Sequence, residues 1–299
     1  MERGGVVLLA GATASGKTEL AIRLAQRFGA EIVGADSRQI YRGMPIGTAA
    51  PTQEQLHAVP HHLVAFLDPH ERYSAARYAR DAVRAIEAIR SRGRRAVVAG
   101  GTGFYLRALA GDVTLAPQLD EALRERLAQE ARLHPAPVLW EWLNARDPQR
   151  ATALDRNDAY RIVRALEIAL APRAGSRDEA AGVTLRSAGI PFVKLALDVP
   201  LDVIDARIER RAGEMLSGGL LDEAERVGAA AVAASAVGYP QVLAHLRGWS
   251  TFAELHASLV RATRRYARRQ RSWLRSEPGA LWVAPEAVEA VAREKLGWT

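Results

Sequence analysis

Gly11-Ala12-Thr13-Ala14-Ser15-Gly16-Lys17-Thr18 decides how this chain is read, because it fits the spacing G-x-x-x-x-G-K-[ST] and follows directly on the apolar run Val6 to Ala10. Its glycines let the backbone curl until successive N–H groups converge on phosphate oxygens, and the helix that begins at Thr18 aims the positive end of its dipole at the same point. Lys17 adds a point charge for the phosphates, and Thr18 a hydroxyl for Mg²⁺. The stretch therefore predicts a strand over 6–10, a phosphate loop over 11–18 and a helix over 18–28. Which phosphorylated molecule binds, and what is transferred, the loop alone does not specify.

Outward from the loop, short β-branched runs bounded by glycine predict buried parallel strands at Glu31 to Ala35, Ala96 to Ala99, Phe192 to Leu197 and Leu281 to Ala284. The fold class expected is α/β: a P-loop NTPase-like parallel sheet flanked by helices, with an all-helical insertion domain. The core is discontinuous, over 1–111 and 190–299. Within 112–189, Leu119 to Leu133, Val138 to Arg146 and Ala159 to Leu170 carry apolar residues at three- and four-residue spacing, with Asn157 and Asp158 as N-cap residues. Pro172 to Ala188 is the expected flexible return to the core.

With 48% apolar and 25% charged residues among 299, the chain can bury a proper core, which excludes wholesale disorder. No apolar run approaches the roughly 20 residues of a membrane helix, and Val6 to Ala10 is too short for a signal-peptide core, so a cytoplasmic protein is expected. The absence of cysteine excludes disulfides, thiolate metal sites and a cysteine nucleophile, leaving oxygen, nitrogen or a bound ion for any chemistry.

In open α/β sheets ligands lie at the carboxyl ends of strands. The second strand ends in Asp36-Ser37, where Asp36 is a general base, a metal ligand or a turn cap. The run Ala96 to Ala99 ends in Gly100-Gly101-Thr102-Gly103 and lacks the acid that P-loop ATPases use to hold Mg²⁺, which argues against a hydrolytic motor and for a transferase. Thr102 donates to a phosphate or leaving-group oxygen, or belongs to a tight turn. Arg207 and Arg211, four apart, can close over a pyrophosphate like a kinase lid; Glu209 and Glu214 equally suit a solvated helix. His61-His62 reads as structural or capping, since adjacent side chains point apart.

Near the C-terminus Arg261, Arg264, Arg265, Arg268 and Arg269 form one helical stripe, followed by Arg271 and Arg275, with no acid between Glu254 and Glu277. Seven arginines without local counter-charges call for a polyanion longer than a nucleotide, and RNA suits the interleaved Tyr266 and Trp273. A phosphate loop without a motor's acid, joined to this stripe, suggests modification of a nucleic acid by a small phosphorylated donor. A small-molecule or nucleotide kinase leaves the stripe unexplained. A non-catalytic GTPase-like RNA-binding module lacks an N-K-x-D stretch.

These residues resemble the tRNA dimethylallyltransferase family. The resemblance rests on the phosphate loop, Asp36-Ser37 with Ile40 to Met44 and Ile46-Gly47-Thr48-Ala49, Pro60-His61-His62-Leu63 and Gly100-Gly101-Thr102. It continues with Asn157-Asp158, Arg161, Arg164 to Glu167, Val237-Gly238-Tyr239, Arg268-Arg269-Gln270 and Trp273-Leu274-Arg275, in family order over nearly the whole chain. It implies transfer of a dimethylallyl group from dimethylallyl diphosphate to N6 of adenosine 37, beside the anticodon of tRNAs reading codons that begin with U. It further implies a diphosphate held by Gly11 to Thr18 and Arg211, with Mg²⁺ on Thr18, and catalytic roles for Asp36, Thr102, Lys17 and Arg207. Contacts to tRNA carry over to Asp36, Ser37, Arg38, Gln39 and Thr102, and in the insertion to Arg124, Tyr160, Arg161, Ile162, Val163 and Arg164, which would grip the anticodon stem. They carry over also to Ser235, Ala236, Val237, Gly238, Tyr239 and Pro240, and to Arg268, Arg269, Gln270, Arg271, Ser272, Trp273, Leu274 and Arg275. Ala12 replaces the family's usual Pro, and Pro240 its usual Arg after Gly-Tyr. A bacterial-type monomer, without a C-terminal zinc finger and without a membrane partner, is expected.

Overall fold

The computed structural model describes residues 4–113, 115, 121–171 and 183–299. Leu119, Asp120 and the first part of the expected return, Pro172 to Gly182, lie outside the described residues. The chain divides into a unit formed by Met1–Val113 with Val183–Thr299 and a second formed by Thr114–Gly182.

The first unit begins with β1 (Val6–Ala10), α1 (Lys17–Phe28), β2 (Ala30–Gly34), α2 (Gln53–Ala58), β3 (His61–His62), α3 (Ala75–Ser91), β4 (Arg95–Gly100) and α4 (Gly103–Ala110). The second holds α5 (Glu121–Leu133), α6 (Ala136–Arg146), α7 (Pro148–Thr152) and α8 (Ala159–Leu170). The first resumes with β5 (Phe192–Leu197), α9 (Leu201–Ser217), α10 (Leu220–Val227), α11 (Tyr239–Leu246), α12 (Phe252–Arg275), β6 (Ala280–Val283) and α13 (Val288–Leu296).

All six strands are parallel, in the order β3-β2-β4-β1-β5-β6. Alternation along β1 sorts its side chains to two faces. Val7 and Leu9 enter a core with α1, α9 and α12; Val6, Leu8 and Ala10 enter another with α3 and α4. Strand β1 is the point at which the chain leaves toward β2 on one side and later returns at β5 on the other. A crevice therefore opens beyond its carboxyl end, where the phosphate loop lies.

The sheet has one strand more than the sequence predicts. His61 and His62 form β3, a two-residue edge paired to Ile32 and Val33, too short to leave a periodic pattern. Their role is structural: His61 Nδ1 lies 2.7 Å from the Val59 carbonyl, and His62 Nε2 lies 2.7 Å from Glu31 Oε2. The core also extends past the expected insertion boundaries of 112–189. Asp112 accepts from Lys194 of β5 and from Arg186 at 2.7 Å, and Leu185 is buried against α4, so 112–113 and 183–189 belong to the α/β unit.

In the helical unit Leu127, Leu139, Leu143, Ile162 and Leu166 share one core. Asp158 caps α8 by accepting from Arg161 N at 3.0 Å; Asn157 does not cap it, its own N–H donating to Asp155 instead. Buried Glu167 accepts from Arg124 at 3.1 Å and from Arg164.

Candidate active site

The phosphate loop takes the shape that its glycines permit. Ala14 and Gly16 both have positive φ, 63° and 85°, and Ser15 N donates to the Ala12 carbonyl at 3.2 Å. This curl delivers the chain into α1 with Lys17 at the first helical position, where N–H groups have no intrahelical partner. Half-buried Lys17 has its pKa held below an ordinary lysine's by burial, against the opposing pull of the Asp36 carboxylate and with the help of Arg211. An anion supplied by a ligand relieves that penalty. Arg207 leans over the loop from α9, its Nη1 donating to the Ala14 carbonyl at 3.3 Å, and Arg211 follows one turn on.

Lys17, Thr18 and Arg211 line a cavity of about 710 Å³, together with Thr13, Ala14 and Gly16 of the loop. Asp36, Ser37, Arg38 and Gln39 form a second wall. Ile46 to Ala50, Met215 and Leu220 add an apolar third, and Ser235, Ala236, Val237, Gly238, Tyr266 and Arg269 close the remainder. Tyr266, read from the sequence as an aromatic interleaved with the arginine stripe, borders this cavity, and its phenol is pushed up to about 12 by burial and by the charge of Asp36.

Asp36 Oδ1 accepts from Arg38 N at 2.9 Å, so the turn-cap role is real, and the carboxylate still borders the cavity. Thr102 does not line it. Its Oγ1 accepts from Ser37 N at 2.9 Å and lies 3.2 Å from Ser37 Oγ, which makes Thr102 a clamp behind Asp36-Ser37.

Four residues expected at an RNA surface are buried in this structure. Gln270, on the inner face of α12, accepts from Thr13 N at 2.8 Å and donates to the Gly101 carbonyl at 2.9 Å, bridging the phosphate loop to the end of β4. A Cβ at Gly101 would lie 2.3 Å from its Nε2, which explains that glycine by close approach. Ile162 and Leu274 are buried in their cores, and Tyr239 is buried beneath the cavity wall. Arg124 and Arg164 are engaged with Glu167, and Trp273 stacks under Arg107 at 4.3 Å. Tyr160, 83% exposed, and Arg161, which is exposed and pairs with Asp158 at 3.4 Å, lie on α8, whose buried face holds half-buried Val163.

The arginine stripe is also partly neutralised, by carboxylates of α9 and of the segment after β5 whose proximity the linear pattern cannot reveal. Arg264 binds Glu209 at 2.8 Å, Arg268 binds Asp205 at 2.7 Å and Arg271 binds Asp198 at 3.0 Å. Among the described residues, exposed Arg261, Arg265, Arg269 and Arg275 make no ion pair; Arg269 instead lies 5.9 Å from the Tyr266 ring. The exposed groove on α12 is lined by Arg261, Arg264, Arg265, Arg268, Arg269 and Ser272.

The Gln270 bridge gives a first prediction. Gln270→Ala strands a backbone donor and a backbone acceptor, each costing about 1–3 kcal/mol when left unpaired. Urea unfolding is expected to report a loss of about 2 kcal/mol or more; an unchanged midpoint would deny the bridge its structural role.

A parallel sheet with a phosphate loop at its switch point, and beside that loop a cavity lined by Lys17, Arg211, Asp36 and apolar residues, defines a P-loop-type α/β protein. The family model described as IPP transferase matches residues 39–277. The tRNA dimethylallyltransferase of Anaeromyxobacter sp. (strain K) is 47% identical over 97% of each chain. The crystal structure of the full-length tRNA isopentenylpyrophosphate transferase from Bacillus halodurans superposes with TM-score 0.70 at 33% identity, over 98% of this chain and 97% of that one. That of the tRNA delta(2)-isopentenylpyrophosphate transferase from Staphylococcus epidermidis gives 0.65 at 28%, over 94% and 93%. This chain belongs to the IPP transferase family.

Proposed function

We propose that this protein transfers the dimethylallyl group of dimethylallyl diphosphate to N6 of adenosine 37 in tRNAs reading codons that begin with U. The observation that carries the reading is a single cavity with a cationic end at Lys17, Thr18 and Arg211, a carboxylate at Asp36 and an apolar wall at Ile46, Met215 and Leu220. The names of the relatives support it.

In this reading the diphosphate lies on the phosphate loop and the adenine amine faces Asp36. The new bond joins N6 to the allyl carbon while the bond from that carbon to the diphosphate oxygen breaks. The electron pair leaves with diphosphate, and the amine proton passes to the Asp36 carboxylate. An exocyclic amine is a weak nucleophile, so positioning and a base both matter. Lys17, Arg211 and the N–H groups of the loop stabilise the leaving charge. Arg207 acts through the loop it holds, and Thr102 through Ser37. A residue inside a stacked anticodon loop cannot reach this cavity, so the base is turned out into it.

Mg²⁺ takes few protein oxygens besides a substrate's phosphates. That requirement suits Thr18, at the cationic end of the cavity, where the described residues form no cluster of three or more His, Asp or Glu that could hold a metal on its own. Thr18 and the donor would hold the ion, which supplies further neutralisation of the diphosphate.

Exposed Arg261, Arg265, Arg269 and Arg275 contribute to the RNA surface, with Tyr160 and Arg161 on the helical unit. Binding of tRNA then weakens steeply with salt, and Arg265→Ala is expected to reduce the log–log slope by about 0.7–0.9. Arg264→Ala, whose guanidinium is spent on Asp205 and Glu209, is expected to leave that slope unchanged. Titrations of labelled anticodon stem-loop at several salt concentrations check both; a slope unchanged from the parent's in Arg265→Ala as well would return the stripe to structure.

The deciding experiment incubates the protein with Mg²⁺, labelled dimethylallyl diphosphate and unmodified tRNA, beside a reaction with ATP alone. Label on tRNA that disappears when adenosine 37 is changed is the expected result. Phosphate moving from ATP to a small acceptor, without label on RNA, would overturn the reading in favour of a kinase.

A further inference from the structure

Glu223 stands on α10, outside every motif of the sequence, and is 1% exposed. A carboxylate that deep persists only if donors surround it. Three do: Oε2 accepts from Ile46 N at 2.9 Å, and Oε1 accepts from Gly47 N and from the Tyr239 hydroxyl, both at 2.7 Å. The Tyr239 ring lies flush against Gly47, where an added Cβ would sit 2.6 Å from a ring carbon. The 46–47 peptide is thus held by the carboxylate and backed by an aromatic ring. Gln39 Nε2 fixes the next turn by donating to the carbonyls of Thr48 and Ala49 at 3.1 and 2.9 Å.

Ile46 and Gly47 line the cavity together with Met215 and Leu220. With a diphosphate held at Lys17, Ile46, Met215 and Leu220 are apolar lining open to the donor's hydrocarbon, and on the Ile46–Gly47 side the cavity widens only if that peptide retreats. Held from behind, it cannot do so without breaking the bonds to Glu223. Building with an anchored backbone also removes the freedom that would let a flexible loop adapt to a larger guest.

We infer that Glu223 and Tyr239 are positioning residues that determine donor specificity, fixing the Ile46–Gly47 wall so that the cavity accepts a five-carbon allyl chain and rejects a ten-carbon one. The inference rests on the transfer reaction proposed above. It gives Tyr239 a role within the protein, in place of an RNA contact.

The test compares kcat/KM for dimethylallyl and geranyl diphosphate on an unmodified anticodon stem-loop, in the parent protein and in Glu223→Gln and Tyr239→Phe. The amide of the first variant keeps the shape but turns one acceptor into a donor facing a donor. The second keeps the ring on Gly47 and loses only the hydroxyl. Preference for the shorter donor is expected to narrow by about tenfold or more in both. Inhibition by inorganic diphosphate should stay at the parent value, since the cationic end is untouched. Parallel loss with both donors, or an unchanged preference in a variant whose melting curve shows it folded, would overturn the specificity role. Should Glu223→Gln not fold, Tyr239→Phe alone decides. A parent protein that uses neither donor would overturn the transfer reading itself, a result distinct from either outcome in the variants.

Discussion

Asp36→Asn is expected to cut transfer onto tRNA by about 10²–10⁴-fold, the range that a lost general base costs. Asn keeps an oxygen that can accept from Arg38 N, now 2.9 Å from Asp36 Oδ1, so the turn after β2 survives. What the amide cannot do is take a proton from the adenine amine. The loss therefore falls on kcat, while the KM for the donor, set by contacts to Lys17 and Arg211 that the substitution leaves in place, stays near its parent value. Single-turnover assays with saturating donor separate the two. Near-normal turnover in Asp36→Asn would remove the base from the mechanism and leave Asp36 as a turn cap.

Lys17→Met is expected to weaken donor binding and to slow the chemical step, by about 10²–10³-fold in kcat/KM, comparable to the loss of one preorganised donor to a developing anion. Burial already holds the pKa of Lys17 below its ordinary 10.5. The sign follows directly. Raising the pH removes the proton from free Lys17 earlier than from an exposed lysine, so affinity for diphosphate falls with rising pH, beginning below 10.5. Diphosphate favours the charged form, so its binding takes up a proton over the same interval. Calorimetric titration in two buffers of different ionisation enthalpy measures that uptake. In Lys17→Met this alkaline proton uptake should vanish; its persistence would place the titrating group elsewhere.

Much of this was legible in the linear chain for identifiable physical reasons. A phosphate loop is local chemistry: positive φ at Ala14 and Gly16 and the start of α1 at Lys17 involve eight consecutive residues. Buried parallel strands leave continuous apolar runs, and amphipathic helices leave a 3.6-residue period, so five strands and three helices of the insertion could be placed. Edge strand β3 and helix α7 escaped because two and five residues carry no period. Asp36 was found because the carboxyl end of β2 must border a switch-point crevice; its two readings, cap and cavity carboxylate, turned out to be compatible.

The sequence by itself determined the loop, the class of sheet and the family. These depend on residue types at fixed separations along the chain, which short-range sterics and hydrogen bonding translate directly into shape. Only the tertiary structure decided which charged or polar residues remain available. Glu223 meets Gly47 across 176 positions, and Gln270 meets Thr13 across 257. Arg264 and Arg268 meet carboxylates that α9 supplies from 55 and 63 positions away. Burial and pairing are set by which elements pack together, and no local pattern records the partner that a side chain will find once α9, α10 and α12 close on the sheet.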